Sequence, residues 1–218
     1  MRRRGSIRRP MVALTFDDGY LEHFLTAKTL SHLGVPATFF LITGLEVWNG
    51  RRLLFCRPDL VREICEMGHE IGSHSLSHPD MTALGSDRVA VELSESRGRL
   101  EEVTGKEVQG FAYPYGRFNP DVKLEASRTY RYARAALPTV RGSRDAYSIG
   151  VKHPGRNIAF SSLLEPVDML SGDWEVLLFH SVPNRSLMLW VPYLRSIGAG
   201  FVTMNELAEE QMKPGRAG

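Results

Sequence analysis

Cysteine is scarce in this chain, with only Cys56 and Cys65 among 218 residues. Their spacing matches no common zinc pattern, and two thiols do not build a disulfide framework. Both therefore read as reduced, largely buried side chains. No apolar run approaches the roughly 18 residues needed to cross a bilayer, which argues against a transmembrane helix. There is no Pro/Gly-rich linker, composition break or internal repeat, so the chain reads as one domain with a substantial core. A cleavable leader is not apparent either. Met1–Pro10 is basic, but the apolar stretch Met11–Leu14 is too short for a signal core and runs straight into Thr15-Phe-Asp-Asp-Gly19. The expectation is a cytoplasmic protein.

Acidic residues are missing from the first nine positions, where five arginines stand. The formal net charge of +2 comes from that tail: of 27 basic side chains, removing those five leaves 22 against 25 acidic ones. The body is slightly acidic and no nucleic-acid partner is expected. Residues 1–9 read as a disordered basic tail, 10–211 as the domain and 212–218 as a C-terminal tail.

What remains is an alternation of short apolar runs and amphipathic segments. Strands are expected at Met11–Phe16, Ala37–Ile42, Glu70–Ser73, Val108–Tyr113, Arg131–Ala135, Tyr147–Val151, Glu175–Phe179 and Phe201–Thr203. Helices are expected at Leu21–Leu33, Asp59–Met67, Asp87–Thr104, Asp121–Thr129, Ser161–Leu170, Leu187–Ile197 and Asn205–Gln211. Gly34, Gly68 and Gly105 stand as stop signals, and Thr203 and Glu206 at capping-box spacing. Seven or eight strands alternating with helices argue for an α/β fold with a parallel sheet, and the lack of a linker favours a barrel over two domains. Such barrels carry their chemistry at the C-terminal ends of the strands.

Four segments at those ends carry groups able to do chemistry. Asp17 and Asp18 are adjacent carboxylates that must be separated or neutralised by a cation. On an extended chain they would point to opposite sides, one to a metal and one free as a base; Asp-Asp-Gly is also common turn chemistry. In His74-Ser-Leu-Ser-His78, histidines four apart can reach one ion from a helical turn. A zinc-protease pattern would need Glu where Ser75 stands. Two imidazoles and one carboxylate leave open coordination positions, the arrangement of a catalytic ion. Phe111-Ala-Tyr-Pro-Tyr-Gly116 forms a turn that could offer a backbone N–H to a reacting oxygen. His180 closes a buried strand, a place that suits either a general acid or a structural histidine.

Taken in order, Thr15-Phe-Asp-Asp-Gly19, His74-Ser-Leu-Ser-His78, Ala112-Tyr-Pro-Tyr115 and Leu178-Phe-His180 resemble the NodB-type polysaccharide deacetylase family, carbohydrate esterase family four. The likeness extends from about Pro10 to Leu207. It implies a distorted barrel of about seven parallel strands. It also implies Asp17 as catalytic base, Asp18, His74 and His78 as ligands of a divalent metal (zinc first, cobalt or nickel as alternatives), and Tyr115 as a backbone oxyanion donor. Leu178, Pro114 and Tyr113 would line the substrate pocket, and His180 would protonate the departing amine. The implied substrate is an N-acetylated amino sugar or glycan. Small cyclic amides, formylated sugars and a catalytically silent glycan- or metal-binding role are the alternatives.

Two positions depart from that pattern. Ala112 stands where the family usually has an arginine that holds the catalytic aspartate, with Arg117 or Arg156 as substitutes to consider. The aspartate that tunes the last histidine has no evident equivalent; Asp145, Asp168 and Asp173 are candidates.

Overall fold

Branched and aromatic residues fill Met11–Phe16, a segment buried from Val12 onward, and this strand is the hub of the fold. The computed structural model of the chain describes residues 10–136, 145–153 and 174–213. Within them the order is β1 (Met11–Phe16), α1 (His23–His32), β2 (Thr38–Leu41), a small hairpin of β3 (Val47–Trp48) and β4 (Arg51–Arg52), α2 (Pro58–Glu66) and β5 (Glu70–Ser73). There follow α3 (Ser86–Thr104), β6 (Gly110–Ala112), α4 (Pro120–Thr129), β7 (Tyr132–Arg134), β8 (Trp174–Phe179), α5 (Asn184–Ser196), β9 (Gly200–Val202) and α6 (Met204–Met212).

The seven-stranded sheet runs β7-β6-β5-β2-β1-β8, with β9 also beside β1, and every pairing in it is parallel. The expected strand Tyr147–Val151 is not a continuous strand. Ile149 bridges to Arg134 on β7 and Lys152 to Leu177 on β8, so this segment crosses between the two sheet edges and makes only single-residue pairings with each. The result is the distorted (β/α) barrel expected from the sequence. The expected helix Ser161–Leu170 lies outside the described residues. None of the described helices is long and apolar enough to cross a membrane.

Strand alternation sorts the side chains into two layers. Leu14 and Phe16 of β1, Phe39 and Leu41 of β2, Phe111 of β6, Ala133 of β7 and Leu177 and Phe179 of β8 pack under the helices. Ala13, Phe40, Ala112, Tyr132, Val176 and Leu178 form the inner cluster. Continuing the inner parity past the last apolar residue leads to Asp17 after β1, Arg134 on β7 and His180 after β8. Helix ends follow local chemistry. Asn119 caps α4 through Val122 N at 2.9 Å, Gly105 ends α3 in the left-handed region, and Thr203 and Glu206 form the expected capping box on α6.

Candidate metal centre and active site

Asp17 follows β1 directly, its backbone N–H donating to the carbonyl of Phe179 at 2.9 Å. Asp18 is not extended, as alternation would require, but left-handed, with φ 69°. That turn brings both carboxylates to His74: its Nε2 lies 4.0 Å from Asp17 Oδ2 and 3.5 Å from Asp18 Oδ1. Gly19, with φ +70°, completes the turn against β2; a Cβ there would stand 2.6 Å from Leu41 Cδ2. A glycine is therefore required on both conformational and steric grounds.

The two histidines converge without a helical turn. Ser75 (φ 67°) and His78 (φ 57°) are left-handed and the segment is an irregular loop. The Ser75 hydroxyl accepts from His78 N at 2.9 Å, and the two imidazole Nε2 atoms come to 3.2 Å. His78 Nε2 is also 3.5 Å from Asp18 Oδ1. Among the described residues, Asp18, His74 and His78 are the one group of three metal-ligating side chains whose donor atoms converge, all within 4.8 Å of one another. All three are buried.

The donor chemistry fits a divalent ion. His74 Nδ1 donates to the Ala112 carbonyl at 2.8 Å, which fixes the ring with its Nε2 aimed at Asp18 and His78. Two imidazole nitrogens facing each other beside a carboxylate, all out of water, are the donors a borderline-soft cation takes. Burial opposes the charge on Asp18, but hydrogen bonding and charge from His74, a hydrogen bond from Tyr20 and the charge of His180 outweigh it. The carboxyl is held well below the ordinary carboxylate range. Burial, reinforced by the charge of His74, lowers His78 to about 4. Asp18 and His78 are thus in their metal-binding protonation states at neutral pH. At His74 burial is outweighed by Asp17 and Asp18, which hold it above the ordinary imidazole range, so it would release its proton to a bound ion.

The partner of Asp17 is Arg134. Its Nη2 donates to Asp17 Oδ1 and its Nη1 to the carbonyl of Ala135 at 3.2 Å, and the side chain is 1% exposed. Ala112 and Arg134 are register partners on β6 and β7. The guanidinium is therefore displaced by one strand from the position where the family resemblance looks for it, and the small Ala112 side chain accompanies the large one beside it. Neither substitute named from the sequence takes this role. Arg117 pairs with Asp80 on the surface at 2.7 Å, and Arg156 lies outside the described residues. The missed signal was parity: an arginine at an inner position of a short buried strand needs a buried anion.

The remaining candidates divide. Tyr115 is left-handed (φ 57°), and its half-exposed ring stands edge-on to His78 at 4.6 Å. Gly116 must follow, because a Cβ there would come within 2.3 Å of Ala136 Cβ. Pro114 is buried at the start of this turn, and Leu178 lies in the inner cluster. Tyr113 is placed otherwise than the pocket reading expects. It packs in the helix-side layer, stacked on Phe118 at 4.8 Å, with its hydroxyl donating to the Tyr147 carbonyl. Alternation from Ala112 turns it away from the inner layer. His180 is exposed, and its carbonyl accepts from the buried His23 Nε2 at 3.0 Å. Asp145 is engaged by Lys123, Ser148 and the N–H of Tyr147, while Asp168 and Asp173 lie outside the described residues.

The β3–β4 hairpin, which the sequence reading missed, forms another wall. Trp48 approaches the His78 ring to 4.6 Å, and Arg51 covers Tyr20. Among the described residues, four of the five left-handed non-glycine residues, Asp18, Ser75, His78 and Tyr115, belong to this site, and the fifth, Asn49, sits at the hairpin turn. Such conformations cost about 1–3 kcal/mol each and persist where the surroundings over-determine them, which is typical of functional sites.

His23 supplies an acid-sensitive element beside the site. Burial lowers it to about 4, only partly offset by its bond to the His180 carbonyl and by the charges of Asp18 and Asp17. The unfolded chain takes up this proton near 6.5, so stability is complete above that pH and falls as pH drops from 6.5 towards 4. The expected loss is on the order of 3 kcal/mol over that window. Urea midpoints of chelator-treated protein should show it, and His23→Asn, which keeps a donor for the carbonyl, should flatten the slope. Equal slopes for both proteins would remove His23 from the account.

Over residues 4–133 the chain matches the polysaccharide deacetylase family, and it belongs to that family. It is 28% identical over 94% of its length to a peptidoglycan-N-acetylglucosamine deacetylase of Listeria monocytogenes, covering 40% of that protein. It spans about half the length of the curated relatives it matches. Its fold is similar to that of a family 4 acetyl xylan esterase from Clostridium thermocellum in complex with a cobalt ion (TM-score 0.71, 22% identity, 94% of this chain and 93% of that one). It is equally similar to a CE4 family pseudoenzyme from Bacillus anthracis (TM-score 0.70, 24% identity, 94% and 68%).

Proposed function

We propose that this protein is a metal-dependent hydrolase that removes the acetyl group from an N-acetylated amino sugar, with zinc as the first-choice ion. The observation that carries the reading is the juxtaposition, in one buried site, of a three-donor metal group with a separate aspartate ion-paired to Arg134. Family membership supports the reaction class, and the Listeria relative's substrate supports an acetylated glucosamine unit. A module that only bound glycan or metal would have no use for a buried carboxylate outside the donor group, held beside it by Arg134.

Asp18, His74 and His78 would hold the ion, which when bound supplies Lewis-acid polarisation and a more acidic water. Arg134 pairs with Asp17 and holds its carboxylate towards His74, placed to accept the proton of an attacking water. The left-handed turn at Tyr115, whose ring meets that of His78, would supply a backbone N–H for the oxyanion. Leu178 closes the inner layer beneath the site as an apolar floor for the acyl methyl. His180, exposed after β8, gives a proton to the leaving amine, and the His23 bond fixes the backbone from which it does so. Trp48 and Tyr115 flank the mouth with aromatic surface suited to a sugar face.

The test is acetate release from a panel of N-acetylglucosamine monomers, chitooligosaccharides, peptidoglycan fragments, formylated sugars and cyclic amides, with zinc-, cobalt- or nickel-loaded protein. Turnover of acetylated sugars at rates well above cyclic amides is expected. Turnover of cyclic amides alone would replace this reading, and metal binding without any turnover would indicate a silent relative.

A further inference from the structure

The loop between the two histidines is held only in part by its own bond from His78 N to the Ser75 hydroxyl. Ser75 and His78 are left-handed, so its conformation must be imposed from outside. Two of the constraints are backbone bonds from the end of β2: Thr43 N donates to the Ser75 carbonyl at 3.3 Å and Gly44 N to that of Leu76 at 2.7 Å. The third comes from α3. Glu92 Oε2 accepts from both Leu76 N (3.0 Å) and Ser77 N (2.8 Å), and its Oε1 accepts from the Ser77 hydroxyl (2.6 Å).

Glu92 is 1% exposed and lies in the buried stripe of α3 with Val89, Leu93 and Leu100. A carboxylate there is costly unless its oxygens are satisfied. These three bonds converge on the two residues midway between His74 and His78. Four residues further along the same face, Ser96 pairs with Ser73 at 2.7 Å, immediately before His74. Helix α3 thus grips the loop at its base and at its crown.

We propose that Glu92 is the positioning residue that sets metal affinity at the Asp18–His74–His78 group. It holds the 76–77 backbone in the turn that brings the two imidazoles together. The inference rests on the metal-centre reading above and goes beyond it, because it assigns affinity to a helix residue that reaches no ligand atom. Groups behind metal ligands commonly change affinity by about 10- to 100-fold when removed.

The experiment is competition for zinc between apo-protein and a chromophoric chelator, with folding checked by circular dichroism and thermal melting. Glu92→Ala should weaken zinc binding about 10- to 100-fold. Glu92→Gln should stay close to the parent protein. One amide oxygen can accept both N–H groups, and the amide nitrogen can donate to the Ser77 hydroxyl, so the three contacts survive without charge. Glu70→Gln is the control. That half-buried carboxylate holds Tyr132, Thr38 and Asn205 N at the opposite end of β5, and its loss should lower stability while leaving zinc affinity unchanged.

Unchanged affinity in folded Glu92→Ala would overturn the proposal, as would a loss in Glu92→Gln equal to that in Glu92→Ala. If Glu92→Ala does not fold, Ser77→Ala decides. That exposed residue loses one of the three contacts, and affinity identical to the parent's would overturn the proposal. Failure of the unsubstituted protein to bind zinc at all would instead strike at the metal-centre reading.

Discussion

Asp17→Asn is expected to lower kcat by about 10²- to 10⁴-fold, the range typical of a lost general base, while metal content stays stoichiometric. The asparagine occupies the same volume and can still accept from Arg134, but it cannot take a proton from water. Asp18→Asn should instead weaken metal binding itself, because Asp18 and not Asp17 belongs to the three-donor group. Arg134 extends this prediction. Arg134→Met leaves the Asp17 carboxylate buried without its ion partner, a change expected to cost about 3–5 kcal/mol of stability. It should also lower kcat, since the carboxylate loses the group that orients it towards His74. The double variant Asp17→Asn/Arg134→Met should recover much of the stability, because removing both partners leaves no lone charge. Parallel behaviour of Asp17→Asn and Asp18→Asn in metal content and turnover would refute the division of labour. Full activity in Arg134→Met would reduce that pair to a structural contact.

His74→Ala and His78→Ala should each abolish stoichiometric zinc binding while leaving the fold largely intact, since both belong to the three-donor group. Elemental analysis reads the metal, and thermal melting supplies an independent measure. Zinc at 100 times its dissociation constant should stabilise the parent protein by about 2.7 kcal/mol, and neither variant should show that gain. His74 carries a second duty, because its Nδ1 donates to the Ala112 carbonyl at the end of β6. His74→Ala should therefore cost more stability than His78→Ala even without metal, by about 1 kcal/mol for the lost bond. Retention of zinc by both variants would sink the site.

Much of the frame was legible before any coordinates. Met11–Phe16 and Glu70–Ser73 appear with the expected bounds, and Asp87–Thr104 differs from α3 by one residue at its start. Each carries strong local information: an unbroken apolar run, a glycine stop or a long amphipathic period. The β3–β4 hairpin was not legible, because two-residue strands carry no period to read. The segment Tyr147–Val151 misled for a related reason. It has strand composition, but its position between two sheet edges permits only isolated pairings.

In the site, the sequence by itself supplied the candidate groups. Asp17, Asp18, His74, His78 and His180 follow strands whose order and hydrophobicity place them at one end of a parallel barrel, and their chemistry is fixed by residue type. Only the tertiary structure decided how they are held. Arg134 finds Asp17 across 117 positions, and Glu92 grips a loop 15 and 16 residues before it. Neither pairing has a sequence signature, because which inner positions face one another depends on strand order and register. The left-handed turns at Asp18, Ser75 and His78 are likewise invisible in the motifs. Extended and helical geometries are what local preferences favour, and the conformations that bring these donors together are stable only because the surrounding fold supplies their hydrogen bonds.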